Sequence, residues 1–272
     1  MKKLSLNFRR FSAGFTLVEL LVVIAIIGIL AAMLMPVLAA AKRHALILQA
    51  KTEMQGIVAA INHYDQDYGR FPLNAAEKNA ASKYIGGDFT TGYLSNSNPN
   101  RTWDLAGSGY NGSGYSYDNN NEVVAILMDV EKYRSGIVSS NNLHALNPKQ
   151  GKYLDAKPSD YDPNNPPGQN APGGVDVTGV YRDPWGNPYI ISMDTSYDDL
   201  CWDMFYRLDK VSGPGQANTN PGLNGLTNPD TTKNDNFLFR GKVMVWSAGP
   251  DGKVDPAIPA NQGVNKDNIL SW

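Results

Sequence analysis

Residues 15–41 read FTLVELLVVIAIIGILAAMLMPVLAAA, and Glu19 is the only ionisable side chain among them. At about 1.5 Å per residue, a helix of this length reaches roughly 40 Å, enough to cross a hydrocarbon core of about 30 Å. Lys2, Lys3, Arg9 and Arg10 precede the stretch, whereas only Lys42 and Arg43 directly follow it. That asymmetry keeps the N-terminus cytoplasmic and sends everything beyond the helix across the membrane. A removable secretory signal ending at Ala39-Ala40-Ala41 is the alternative, but the apolar run exceeds the roughly 7 to 15 residues of a signal core.

The rest of the chain narrows the class. Its 272 residues, 42% hydrophobic and 18% charged, suit one large domain or two small ones and exclude a disulfide mini-protein or a disordered chain. Removing the four leading positive charges from the formal net charge of −2 leaves the body near −6. A mildly acidic body argues against nucleic acid as the main partner. Cys201 is the single cysteine, so neither an internal disulfide nor a cysteine-rich zinc site is available. It reads as a small structural hydrophobe. His44, His63 and His144 match no H-E-x-x-H pattern.

Glu19 is the anomaly of the apolar run. A carboxylate costs about 2.5–3.5 kcal/mol at a bilayer centre and less near an end, so a spanning segment retains one where it finds a partner or lies at headgroup depth. It sits in Gly14-Phe15-Thr16-Leu17-Val18-Glu19, behind a short basic leader. This stretch resembles the processing site of type IV prepilins and type II secretion pseudopilins. The resemblance implies cleavage after Gly14 by a prepilin peptidase, N-methylation of Phe15, and a role for Glu19 as counter-ion to the new amine. Pro36 falls where that family's helix is often kinked, and a proline removes a backbone donor and clashes with the preceding turn.

Past the membrane segment, Ile47, Ala50, Met54, Ile57, Ile61, Tyr64 and Tyr68 recur at alternating spacings of three and four, the apolar stripe of an amphipathic helix. Gly69 and Pro72 supply the stop. One helix over residues 15–68 is expected, about 80 Å long. Residues 86–122 hold 19 Gly, Asn or Ser in 37, interleaved with Phe89, Tyr93, Trp103, Tyr110, Tyr115 and Tyr117, and read as a long surface loop pinned by its aromatics or stacking on carbohydrate. A second helix is expected over 122–134, with Asn121 as cap and Gly136 as stop. Residues 147–174, with six prolines in 28, form an irregular connection. Strands are expected at 179–182, 189–194, 204–208 and 237–247, with loop at 212–236. The predicted fold class is α+β: a long N-terminal transmembrane-plus-amphipathic helix packed on a small antiparallel β-sheet head of three or four strands with long loop insertions.

Two further patches carry the resemblance. Asp183-Pro184-Trp185-Gly186-Asn187-Pro188-Tyr189 has turn chemistry throughout and is similar to a turn of the major pseudopilins of type II secretion. Ser247-Ala248-Gly249-Pro250-Asp251-Gly252 resembles the start of their calcium loop, which normally closes with a second acidic cluster, here Asp267-Asn268-Ile269. The resemblance implies calcium held by Asp251, Asp255 and Asp267, since the ion takes six to eight oxygens. Pro256, Pro259 and Lys266 depart from the family's loop, and a solvated acidic turn is the competing reading. A second acidic stretch, Asp160-x-Asp162-x-Asn164, starts like an EF-hand but has Asn165 at position six and Ala171 at position twelve.

No G-x-S-x-G elbow and no phosphate-cradling G-x-x-x-x-G-K-[ST] loop is present, and no enzyme is expected. The resemblance implies a type II secretion pseudopilin with residues 1–14 as leader, 15–41 as the membrane half of the long helix, 42–68 as its amphipathic half, and 69–272 as a periplasmic head. Its implied location is the bacterial inner membrane, single-pass, then a periplasmic filament after assembly. Its implied partners are copies of itself, the prepilin peptidase, minor pseudopilins and an inner-membrane assembly platform. A surface type IV pilin for adhesion, motility or DNA uptake shares the same N-terminus. A membrane-anchored glycan-binding module is the alternative from another class.

Overall fold

The computed structural model describes residues 16–81, 87–91, 120–162, 173–213 and 221–272. Gly14, Phe15, the leader, most of the aromatic loop at 86–122 and the second half of the EF-hand-like stretch lie outside the described residues. The chain divides into two compact units, Met1–Leu46 and Ile47–Trp272.

In the first unit the described residues belong to helix α1 (Leu17–Tyr68), which contains Pro36. Its large apolar side chains from Leu17 to Leu38 are exposed. Among the described residues it is the one helix long and apolar enough to cross a membrane.

The second unit is the head, and its first element is the C-terminal part of α1. The predicted stripe is the buried face: Ala50, Met54, Ile57, Ile61 and Tyr64 are buried, with Ile47 and Tyr68 partly buried at either end. Each fully buried Ile or Met contributes about 1.5–3 kcal/mol of apolar burial. Gly69, at φ +62°, ends the helix in the left-handed conformation, and its N–H returns to the Asp65 carbonyl. A short helix follows, α2 (Ala75–Ala81), opened by reciprocal bonds between Asn74 and Glu77.

A four-stranded antiparallel sheet lies against this helix. It contains β1 (Phe89–Thr90), β4 (Ile190–Met193), β7 (Val243–Ser247) and β8 (Ile269–Leu270), in the order β1-β4-β7-β8. Two small ribbons complete the set: β2 (Gly174–Val175) with β3 (Tyr181–Arg182), and β5 (Leu200–Cys201) with β6 (Phe239–Arg240). Strand alternation sorts the central side chains to two faces. Ile191, Met193, Val243 and Val245 join α1 and α3 (Asn121–Met128) in one core, while Ile190, Met244 and Trp246 join Trp202, Phe205, Tyr206 and Phe237 in a second. The sheet is therefore covered on both sides.

Several expectations are corrected. The second helix ends at Met128 and does not reach 134, because Asp129 turns left-handed (φ 57°) and its carboxylate is held by Asn141 and His144. Asn121 is not its cap. Asn120 precedes the helix without capping it; its side chain instead bonds the backbone of Tyr181 and Tyr189. Residues 204–208 form turns in place of a strand, since Asp203 draws the N–H groups of Phe205 and Tyr206 onto one carboxylate oxygen. The 237–247 strand is two, β6 and β7, separated by Gly241 and Lys242.

Candidate functional site

The N-terminus of α1 carries the first candidate site. Thr16 stands just ahead of the helix with Glu19 three residues on, and the two bond reciprocally. The Glu19 N–H donates to Thr16 Oγ1 at 3.2 Å, and the Thr16 N–H and hydroxyl donate to Glu19 Oε2 at 2.9 and 2.8 Å. This is a capping box, satisfying backbone donors that the first turn of a helix leaves without partners. The carboxylate also lies at the positive end of the helix dipole, which favours a negative charge. Glu19 is thus held at the mouth of an otherwise apolar helix, with its second oxygen turned to no partner on the helix's own first turn. Thr16 was missed in the sequence reading, although T-x-x-E ahead of an apolar run is a readable signal.

The second candidate lies in the head, where the two patches singled out by sequence meet. Asp183 is fully buried. Its Oδ1 accepts the N–H groups of Trp185 and Asn187 at 2.9 and 2.8 Å, and its Oδ2 accepts the Ser247 hydroxyl and the Asn187 amide. The Asn187 amide also reaches the Gly249 carbonyl at 2.9 Å, so the turn at 183–189 is stitched to the segment 247–252 across some sixty residues of sequence. The glycines of that segment are required by contact. A Cβ on Gly249 (φ +68°) would stand 2.1 Å from the Asp267 carbonyl oxygen, and one on Gly252 (φ +63°) 2.5 Å from Asn187 Oδ1. Burial pushes Asp183 up to about 6 despite its four donors.

The loop beyond is held by an amide. Buried Asn265 accepts the Asp255 N–H and donates to the carbonyls of Asp255 and Ile258, each at 2.8 Å. Asp251 Oδ1 accepts the Lys253 N–H and Asp255 Oδ1 the Ala257 N–H, both at 2.8 Å. The Asp267 carbonyl lies against Gly249. Among the described residues, no three His, Cys, Asp or Glu side chains stand close enough to share a metal ion. A calcium ion in this loop would draw most of its six to eight oxygens from carbonyls and water, with the carboxylates of Asp251 and Asp255 able to offer their second oxygens.

Cys201 is buried in the second core, where desolvation pushes its thiol well up and away from reactivity.

A model of the prokaryotic N-terminal methylation motif matches residues 9–35, the segment that includes Gly14, Phe15 and the Thr16–Glu19 box. The chain is 39% identical over 64 residues to the type II secretion system core protein G of Pseudomonas aeruginosa, a match covering 24% of this chain and 45% of that protein. It is 38% identical over 69 residues to the type IV major pilin protein PilE1 of Neisseria gonorrhoeae, covering 25% of this chain and 42% of that one. The fimbrial protein of Neisseria meningitidis matches at the same identity and length. The chain thus spans less than half the length of the curated relatives it matches. No solved structure matches. The N-terminal part of the chain is similar to that of the pilin-like class, and here the methylation motif lies on a long apolar helix that precedes an antiparallel head. Within that class, the relatives are a type II secretion core protein and type IV pilins.

Proposed function

We propose that the chain is a structural filament subunit, a pseudopilin of a type II secretion system, and not an enzyme. In this reading a prepilin peptidase cuts after Gly14 and methylates Phe15, and the exposed apolar half of α1 leaves lipid to pack against the same helix of neighbouring copies. The head sits in the periplasm, and minor pseudopilins and an inner-membrane platform serve assembly. The observation that carries the reading is Glu19, fixed by Thr16 at the start of an exposed apolar helix inside the matched motif. In a low-dielectric bundle of such helices a carboxylate needs a cation, and the new Phe15 amine of a neighbour is one.

The similarity to a secretion core protein and the joined patches at 183–189 and 247–252 favour the secretion filament over a surface fibre. The matches to pilins of Neisseria support the surface type IV pilus as the second reading. Calcium in the loop that begins at Asp251 is part of the proposal, supported by the resemblance of that segment, with Asp251 and Asp255 offering carboxylate oxygens beside backbone carbonyls. The three carboxylates of Asp251, Asp255 and Asp267 do not come together as one cluster.

Glu19→Gln tests the filament reading. It keeps the shape and part of the capping box, removes the charge, and is expected to leave membrane insertion intact while abolishing filament formation. Normal assembly of this variant would contradict the counter-ion role.

A further inference from the structure

His144 sits between two carboxylates of the segment that follows α3. Its Nδ1 lies 2.8 Å from Asp129 Oδ1 and its Nε2 lies 3.5 Å from Glu131 Oε1, with 29% of its side chain exposed. Asp129 and Glu131 are the charged groups that face the ring. Glu131 has a second task, because its Oε2 accepts the Leu143 N–H at 2.8 Å. Leu143 and His144 are both left-handed, at φ 56° and 53°, a region unfavourable to any residue with a Cβ. Leu143 is exposed, so burial does not offset that cost. Polar contacts centred on Glu131 therefore hold the turn at 142–144.

The two acids differ in what else engages them. Asp129 Oδ1 also accepts the Asn141 amide at 3.0 Å, and Asn141 in turn receives the N–H groups of Leu146 and Asn147. On the other side of the turn, Glu122 Oε2 accepts the Ser140 N–H at 2.8 Å. None of these bonds uses the imidazole, so the flanks of the turn stay fixed whatever the charge of the ring. Glu131 Oε1, by contrast, faces Nε2 of that ring. An imidazolium donates from both nitrogens, one to each acid. A neutral ring keeps its proton on Nδ1 toward Asp129 and turns the Nε2 lone pair toward a carboxylate. That contact becomes repulsive, and when Glu131 withdraws, the acceptor of the Leu143 N–H goes with it.

We propose that Asp129, Glu131 and His144 form a pH-sensitive latch, in which protonated His144 closes the turn at 142–144 onto Glu131 and loss of that proton opens it. The latch goes beyond the filament reading and does not depend on it. The hydrogen bond to Asp129, followed by the charges of both acids, raises the imidazole above its usual value of 6.5. With a raised folded value, the closed turn is fully favoured below the unfolded value and is lost as the pH rises through the folded one. Acidification therefore fixes Leu143 in its left-handed turn, and alkaline pH frees it. The head thus carries a surface segment whose order follows the proton concentration around it.

The test is hydrogen exchange of the Leu143 amide in the full chain dispersed in detergent, at about pH 6 and about pH 9, with each rate divided by its intrinsic value at that pH. The Ser139 amide, which donates to the Glu131 backbone carbonyl outside the turn, is the internal reference and cancels any loss of stability of the whole head. Protection of Leu143 relative to Ser139 is expected to fall about tenfold from the lower pH to the higher, the worth of one hydrogen bond to a charged acceptor. His144→Asn, a residue that tolerates left-handed backbone, should show the low value at both pH values. A constant ratio in the wild-type chain, or the wild-type fall in His144→Asn, would overturn the latch. Should His144→Asn fail to fold, Glu131→Gln decides. It keeps an oxygen for the Leu143 N–H and removes the charge that faces Nε2, so its ratio should be the same at both pH values, and a wild-type fall would again overturn the proposal.

Discussion

Raising the pH from 5 to 8 should destabilise the head, and Asp88 is one of the groups responsible. Asp88 is buried at the start of edge strand β1, where its Oδ2 accepts the Trp202 N–H at 2.8 Å and its Oδ1 the Ser196 N–H at 3.2 Å. Burial, with Asp194 and Asp198 nearby, outweighs those donors and pushes its carboxyl up to about 7. Asp183 is raised to about 6. Both folded values lie above the unfolded one near 3.9, so the native state holds these protons longer. The stability they contribute is complete below the unfolded value and is lost as pH rises through the folded values, by about 1.4 kcal/mol per pH unit for each group. Between pH 5 and 7 Asp88 loses about 2.7 kcal/mol, and Asp183 loses about 1.4 kcal/mol between pH 5 and 6, together about 4 kcal/mol. Buried Asp203 and the clamped His144, also raised, act with the same sign.

The assay is urea unfolding of a soluble head beginning at Lys42, followed through the near-UV signal of Trp202 and Trp246. Both cores are built from Ala50 onward, so this piece retains them. Asp88→Asn keeps a carbonyl oxygen for Trp202 and removes the titration, and should reduce the loss over this pH range by about 2.7 kcal/mol. Stability that is flat or rises from pH 5 to 8 would refute the reasoning. A variant with the wild-type slope would refute the assignment to Asp88.

Three other outcomes follow from the same geometry. Asn120→Ala should cost about 3–5 kcal/mol in urea unfolding, because it strips partners from the buried Tyr181 N–H and Tyr189 carbonyl; a loss under 1 kcal/mol would mean that water or rearrangement replaces the amide. If calcium binds the tail loop, the head should melt higher in calcium than in chelator, by mass action about 2.7 kcal/mol at a hundredfold excess over the dissociation constant, and Asp251→Ala should remove the difference. Coincident melting curves would return that loop to a solvated turn stapled by Asn265. Thr16→Ala should leave Glu19 charged but unfixed and slow assembly less than Glu19→Gln does; equal defects in filament yield would show that the capping box and the charge act as one.

The sequence was most readable where one physical pattern dominates. The stripe from Ile47 to Tyr68 has a helical period because one face is buried, and Gly69 stops it for a steric reason that any left-handed residue obeys. Strands β4 and β7 showed as β-branched and aromatic runs between turn residues. Elements governed by distant partners were not readable. The early end of α3 depends on Asn141 and His144 reaching Asp129, and residues 204–208 look like a strand because they are buried, although a turn on Asp203 buries them. Strands β1 and β8 have two residues each and exist through their neighbours. At the candidate site, Glu19 stood out as a lone charge in an apolar run. The joining of Asp183 and Asn187 to Ser247 and Gly249 is a tertiary fact, even though each patch was legible alone.

The central claim, that this is a processed filament subunit, is tested most directly by mass spectrometry of the N-terminal peptide from the mature protein. The account predicts a chain beginning at methylated Phe15. A mature terminus at Lys42 would establish an ordinary secretory signal and contradict the account, since neither Glu19 nor the apolar helix would then remain to build a filament.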